Sequence, residues 1–266
     1  MPELALLFFW PALAGYAEAA LAYAGEFVRP GRLARPAIWG VRLGWLAQTA
    51  LLIGQAVRAD GFPWASWAGS LNLFVWLTVA TYLIWGCSAS FRLLGLVVMP
   101  LAVVLFLLAW AAGGAGDARR SEFGSGFLAL HVGLVLAAFA AFTLAAGLAA
   151  LYLWQERRLK RHEPGILRVR APSLASLDRL AGRTVAAGLV ALTLGIGIGF
   201  ARLQAEDRGL DAIIAVTILA WLVYASLLVL RYEWGWRGRR AAHLALLGFL
   251  LVLVVRVGLT PIAHFS

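Results

Sequence analysis

Thiols are nearly absent from this sequence, with Cys87 the single cysteine among 266 residues. One thiol excludes an internal disulfide framework, a CxxC redox pair, a cysteine-bound zinc site and the CxxCH motif of covalently attached haem. Cys87 itself reads as a small buried apolar residue. Charge is scarce as well. Only 14% of the residues are charged, with 13 carboxylates and four histidines, while 62% are hydrophobic, a composition outside that of soluble domains. The carboxylates are dispersed, no nucleophile stands with a base, and no phosphate-binding loop is present, so no catalytic residues are assigned. "GLVALTLGIGIGF", with Gly195, Gly197 and Gly199, follows no strand pattern and reads as a helix surface that a neighbour can approach closely.

What fills the chain is long apolar runs. A bilayer core of about 30 Å takes about 20 apolar residues per helix, and unpaired backbone groups are not tolerated in lipid, so helices must do the spanning. Eight spans are expected, at about 3–24, 37–56, 69–87, 92–113, 127–154, 183–203, 210–230 and 241–262. The first has Glu3 where a signal peptide carries Lys or Arg, holds Glu18 inside it, and lacks a small-residue cleavage site, so it reads as a retained helix. The expected fold is an all-α integral membrane protein, one transmembrane domain over residues 1–266 built as a bundle of eight helices.

The basic residues sit between the spans. "RPGRLARP" (29–36) holds three, residues 155–183 hold eight, "RYEWGWRGRR" (231–240) holds four, and Arg92 follows span 3. If the spans alternate, these sixteen share one side, against Arg58, Arg119, Arg120, Arg202 and Arg208 on the other. The positive-inside rule makes the sixteen cytoplasmic. Residues 155–183 then form a basic cytoplasmic loop, both termini are external, and the chain is a multi-pass protein of a bacterial inner membrane. Within that loop "GILRVRAPSLASLDRL" has the pattern of an amphipathic helix lying on the inner leaflet. The net charge of +10 is thereby explained by the lipid bilayer as partner, and nucleic acid is not expected.

Topology also sorts the histidines. His162 and His243 fall in or beside basic cytoplasmic segments and read as solvated. His131, in "GFLALHVGLVLAAF", lies about one turn into span 5 from its external end, and His264 lies just past the external end of span 8. Two neutral imidazoles at one rim are what bis-histidine axial ligation of a haem requires; the alternative is that each anchors its own helix at the interface. Arg256 stands eight residues before His264, about 12 Å lower along a helix. It suits a grip on a haem propionate, or it snorkels to the interface. Phe62, Trp64 and Trp67, in "GFPWASWAG", stand at the same face, as interface anchors or as walls stacked on a porphyrin. Gln48, Asn72 and Tyr82 are polar groups available for hydrogen bonds inside the bundle.

Three stretches carry a family resemblance. "LHVGLVLAAFAAFTLAAGLAALYLWQERRLKR" is similar to the helix of the CcsA and HemX group, the cytochrome c assembly membrane proteins, that opens with "LHV" or "IHV" and closes in a basic loop. The order of span 7, "GWRGRR", span 8 and a terminal "AHFS" resembles the end of CcsA proteins. "DGFPWASWAGSLNLFVWLTVATYLIWG" resembles their segment "HFPLSNLYESLMFLSW". The likeness covers about residues 40–266, and it implies that His131 and His264 are the two external histidines that ligate haem. Departures accompany it. The positions of two further membrane histidines hold Gly61 and Val229, and "ARLQAEDRGLDA" stands where the family has "WGxYWxWDPKE". Haem transport through the bundle and presentation to an apocytochrome are therefore not implied. The reduced pattern is nearer the HemX-like branch, which is associated with haem biosynthesis and with lowered glutamyl-tRNA reductase.

The resulting expectation is one b-type haem, held non-covalently at the external face by His131 and His264, in haem handling for cytochrome c maturation or haem homeostasis. The resemblance also implies a cytochrome c assembly partner that supplies an external domain. Two alternatives stand beside it: a regulator acting on haem synthesis, and a haem-free permease.

Overall fold

The computed structural model describes residues 3–28, 33–58, 64, 66–86, 92–113, 125–162, 172–206 and 212–254. Among them are eight α-helices and no strand: α1 (Glu3–Val28), α2 (Ala34–Arg58), α3 (Trp67–Gly86), α4 (Arg92–Ala111), α5 (Ser125–Lys160), α6 (Leu174–Glu206), α7 (Ala212–Tyr232) and α8 (Arg239–Leu253). Seven of these, α1 to α7, are long and apolar enough to cross a membrane. The protein is a multi-pass α-helical membrane protein. The described part of α8 has 15 residues, so its crossing belongs to the expectation above.

The chain forms two compact units, Met1–Ser125 with His162–Pro172, and Gly126–Arg161 with Ser173–Ser266. In the first, α1 packs against α2 and α4, and α3 against α2 and α4. Small residues let the backbones of α1 and α2 touch: a Cβ built on Gly15 would stand 2.7 Å from the Gly40 carbonyl oxygen and 2.8 Å from the Gly44 nitrogen. Lipid exerts no hydrophobic force between helices, so close packing and hydrogen bonds hold them together. Here the bonds form a buried chain. Tyr16 donates to Gln48 Oε1 at 2.6 Å, and Gln48 Nε2 donates to Asn72 Oδ1 at 2.7 Å and to its carbonyl oxygen at 3.0 Å, linking α1, α2 and α3. Tyr82 donates to the Tyr23 hydroxyl at 2.8 Å. The three polar residues singled out in the sequence thus bond across the bundle. Trp45 and Trp76 stack at 5.2 Å beside a Trp76 Nε1 to Thr49 Oγ1 bond of 2.8 Å.

In the second unit α5 touches each of its neighbours. Its alanine-rich middle is buried from Ala138 to Ala146, Phe142 stacks on Tyr224 of α7 with ring centroids 3.7 Å apart, and Ala149 and Leu153 pack on Ala242 and Ala245 of α8. α7 packs on both α6 and α8.

The helix ends differ from the expected spans on either side of the basic segment 155–183. Residues 155–160, expected as loop, continue α5. Lys160 bonds Glu156 one turn back at 2.8 Å, and the Arg158 guanidinium lies 4.7 Å over the Trp154 ring; basic residues in a last turn suit the negative end of the helix dipole. His162 then takes φ 52, a left-handed residue just beyond the helix end. Residues 174–183 belong to α6, capped where Ser176 N donates to Ser173 Oγ at 3.2 Å. The 174–180 part of the proposed surface helix is therefore the start of one long helix, because Leu177 and Leu180 are buried against the unit; residues 163–171 lie outside the described residues.

Candidate functional site

His131 is held by two helices. It sits in the second turn of α5, half-buried, and its Nδ1 lies 2.8 Å from the Gly195 carbonyl oxygen of α6. A carbonyl only accepts, so Nδ1 is the donor in this contact, the arrangement in which Nε2 of a neutral imidazole keeps its lone pair. A ring whose Nδ1–H is tied to a backbone carbonyl has the orientation and tautomer that metal-ligating histidines require.

Room for the ring comes from glycine. A Cβ built on Gly199 would stand 2.7 Å from His131 Cε1 and 3.2 Å from Nδ1, and one on Gly195 would stand 2.8 Å from Val135 Cγ2. His131 and Val135 are one turn apart on α5, as Gly195 and Gly199 are on α6, so two residues of one face meet two glycines of the other. Gly197 points elsewhere, with nothing within 4 Å of its Cβ position. The Gly195 carbonyl is a site group that residue types do not reveal; the four-residue spacing of Gly195 and Gly199 was its only trace.

Trp64 and Trp67 belong to the first unit. Trp64 Nε1 donates to Gln55 Oε1 at 3.2 Å, and Trp67 opens α3. Phe62, Arg256 and His264 lie outside the described residues. His162 and His243 are exposed, in keeping with their reading as surface groups. Among the described residues no group of three or more His, Cys, Asp and Glu could hold a metal ion. The donor fit therefore rests on His131, whose Nε2 is of the type that haem iron takes.

A second polar centre had no counterpart in the sequence reading. Arg231, closing α7, grips Asp178 of α6 with both arms, Nη1 to Oδ1 at 3.0 Å and Nη2 to Oδ2 at 2.7 Å. Gly238 N, entering α8, donates to the same Oδ1 at 2.9 Å. Fifty-three residues separate the pair, and no local pattern joins them.

The fold is that of a multi-pass helical membrane protein with one oriented imidazole between two helices. Residues 64–261 match the family described as cytochrome C assembly protein, and the chain belongs to that family. Among curated proteins it is 29% identical over 252 residues to "Protein HemX" of Brevibacillus brevis, covering 92% of each chain. It is 25% identical over 253 residues to "Cytochrome c biogenesis protein CcsA" of Prochlorococcus marinus, covering 82% of this chain and 79% of that one. The CcsA of Guillardia theta is 25% identical over 241 residues, with 81% and 79% covered. No solved structure matches.

Proposed function

We propose that this protein is a haem-binding component of cytochrome c maturation or haem homeostasis in a bacterial inner membrane. It holds one b-type haem non-covalently at the external face, between His131 and His264. The observation that carries the reading is the 2.8 Å contact of His131 Nδ1 with the Gly195 carbonyl, which leaves Nε2 free to ligate. The cytochrome c assembly family supports the pathway, and the segregation of basic residues supports the orientation, with both termini outside and eight spans in one transmembrane domain.

In this reading α6 sets the tautomer and aim of His131, and Gly199 leaves space for the ring. Arg256 pairs with a propionate; Phe62, Trp64 and Trp67 supply apolar walls that keep water from the macrocycle. A haem held by His131 and His264 would supply holding, relay or electron-transfer chemistry in preference to oxygen chemistry. A partner protein with an external domain would complete the assembly function.

The test is spectroscopic. Protein purified in mild detergent should carry a reducible Soret and α band, and His131→Ala, His264→Ala and removal of residues 264–266 should each weaken it. Absence of bound haem after reconstitution, or full binding by the double variant, refutes the site. The HemX relative, matched over 92% of both chains, favours a second reading as a regulator of haem synthesis. Deleting the gene separates the two: loss of c-type cytochromes marks assembly, and a rise in haem precursors marks regulation.

A further inference from the structure

At the rim that the charge rule makes cytoplasmic, a cavity of about 700 Å³ opens among the start of α6, the end of α7 and the turn into α8. Four arginines line it, Arg179, Arg183, Arg231 and Arg237, and among the described residues Asp178 is the one carboxylate in its wall. That carboxylate is already engaged. Its two oxygens take both arms of Arg231 and the Gly238 N–H, and Arg231 Nη2 also donates to the Asp178 carbonyl oxygen at 3.0 Å. Gly182 makes this possible, since a Cβ there would stand 2.6 Å from Arg231 Nε. The clasp is a scaffold, and one carboxylate, on which Arg237 also acts through space, leaves the four cations of the wall in excess.

Arg179, Arg183 and Arg237 are exposed and form no ion pair among the described residues. Three guanidiniums facing one concavity repel each other unless an anion sits among them, and guanidinium forks match phosphate oxygens well. The level of the cavity in the bilayer says which anion is at hand. Arg231 is followed by Tyr232 and Trp234, exposed at 71% and 70%, and aromatic residues at a helix end mark the headgroup layer. Basic pockets between helices on the cytoplasmic side are suited to anionic lipid headgroups.

We infer that this cavity binds the phosphate of an anionic phospholipid, with Arg179, Arg183 and Arg237 on the phosphate oxygens. The inference is independent of the haem reading. It depends only on this rim lying at a membrane surface.

Native mass spectrometry of the full-length protein in mild detergent, titrated with phosphatidylglycerol or phosphatidylcholine, tests it. Phosphatidylglycerol should bind in preference. The R179A/R183A/R237A variant should lose about tenfold or more in affinity, since each basic residue near an anionic surface contributes several-fold. R239A/R240A, two neighbouring cations outside the cavity wall, should bind like the parent. The three cavity side chains are exposed, so the variant should fold; should it not, R183Q alone is expected to lose about fivefold. Equal loss in the two multiple variants, or no preference for phosphatidylglycerol, overturns the site. Inorganic phosphate displacing the lipid at equal affinity overturns the lipid as its occupant and leaves a soluble phosphoester in its place.

Discussion

Gly199→Ala is the sharpest test of the His131 site, because it adds one methyl group and touches no ligand. The new Cβ would stand 2.7 Å from His131 Cε1, where ordinary contact begins at 3.4 Å, so the ring must retreat by about 0.7 Å on the scale of close packing. Taken along the 2.8 Å bond to Gly195, that retreat stretches it to about 3.5 Å, beyond hydrogen-bonding geometry. Loss of such an orienting partner lowers metal affinity by about 10- to 100-fold. The helix itself does not suffer, since alanine is favoured over glycine in a helix by about 1 kcal/mol. Gly197→Ala, which meets nothing within 4 Å, gains the same propensity and should leave binding unchanged. Haem titration followed at the Soret band in detergent reads the difference. If Gly199→Ala binds within twofold of the parent, or Gly197→Ala loses as much, the aim of His131 is not set by α6.

Gln48→Leu removes three buried hydrogen bonds to Tyr16 and Asn72; at about 0.6 kcal/mol per bond in a membrane bundle it should cost about 2 kcal/mol, and an unchanged Tm would contradict the chain of bonds. Gly15→Ala pushes a methyl group against backbone atoms of Gly40 and Gly44 that cannot rotate away. It should cost about 1–3 kcal/mol, whereas Gly54→Ala, with nothing within 4 Å, should be neutral by thermal unfolding. Asp178→Ala strands Arg231, whose side chain is only 11% exposed, and should cost about 2–3 kcal/mol. The double variant D178L/R231M should recover most of that loss, and strictly additive losses in the cycle would rule out a coupled pair.

Hydropathy made the helices legible because lipid leaves the backbone one solution, a helix. It did not reveal where the helices end. Charge looked like loop between 155 and 183, yet Glu156 and Lys160 carry α5 onward by pairing along it, and Leu177 carries α6 back by burying itself. His131 was legible as a site candidate through its rank along span 5. Its partner was not, since every residue owns a carbonyl and only the approach of α6 selects that of Gly195. The Asp178 and Arg231 pair was hidden for the complementary reason: both residue types are common near helix ends, and only the fold brings these two together.

The tie from Asp178 to the Gly238 N–H has a consequence for how the chain tolerates length changes. It pins the first residue before α8 to α6, so a residue inserted in the turn at 233–236 can be taken up as slack while Gly238 stays in place. A residue inserted after Arg239 finds no slack. It turns everything downstream by about 100° and advances it by about 1.5 Å, swinging Ala245 and Gly248 off the faces they offer to α5 and Tyr224. Two neighbouring sites thus differ sharply in forgiveness, with the carboxylate of another helix as the boundary between them.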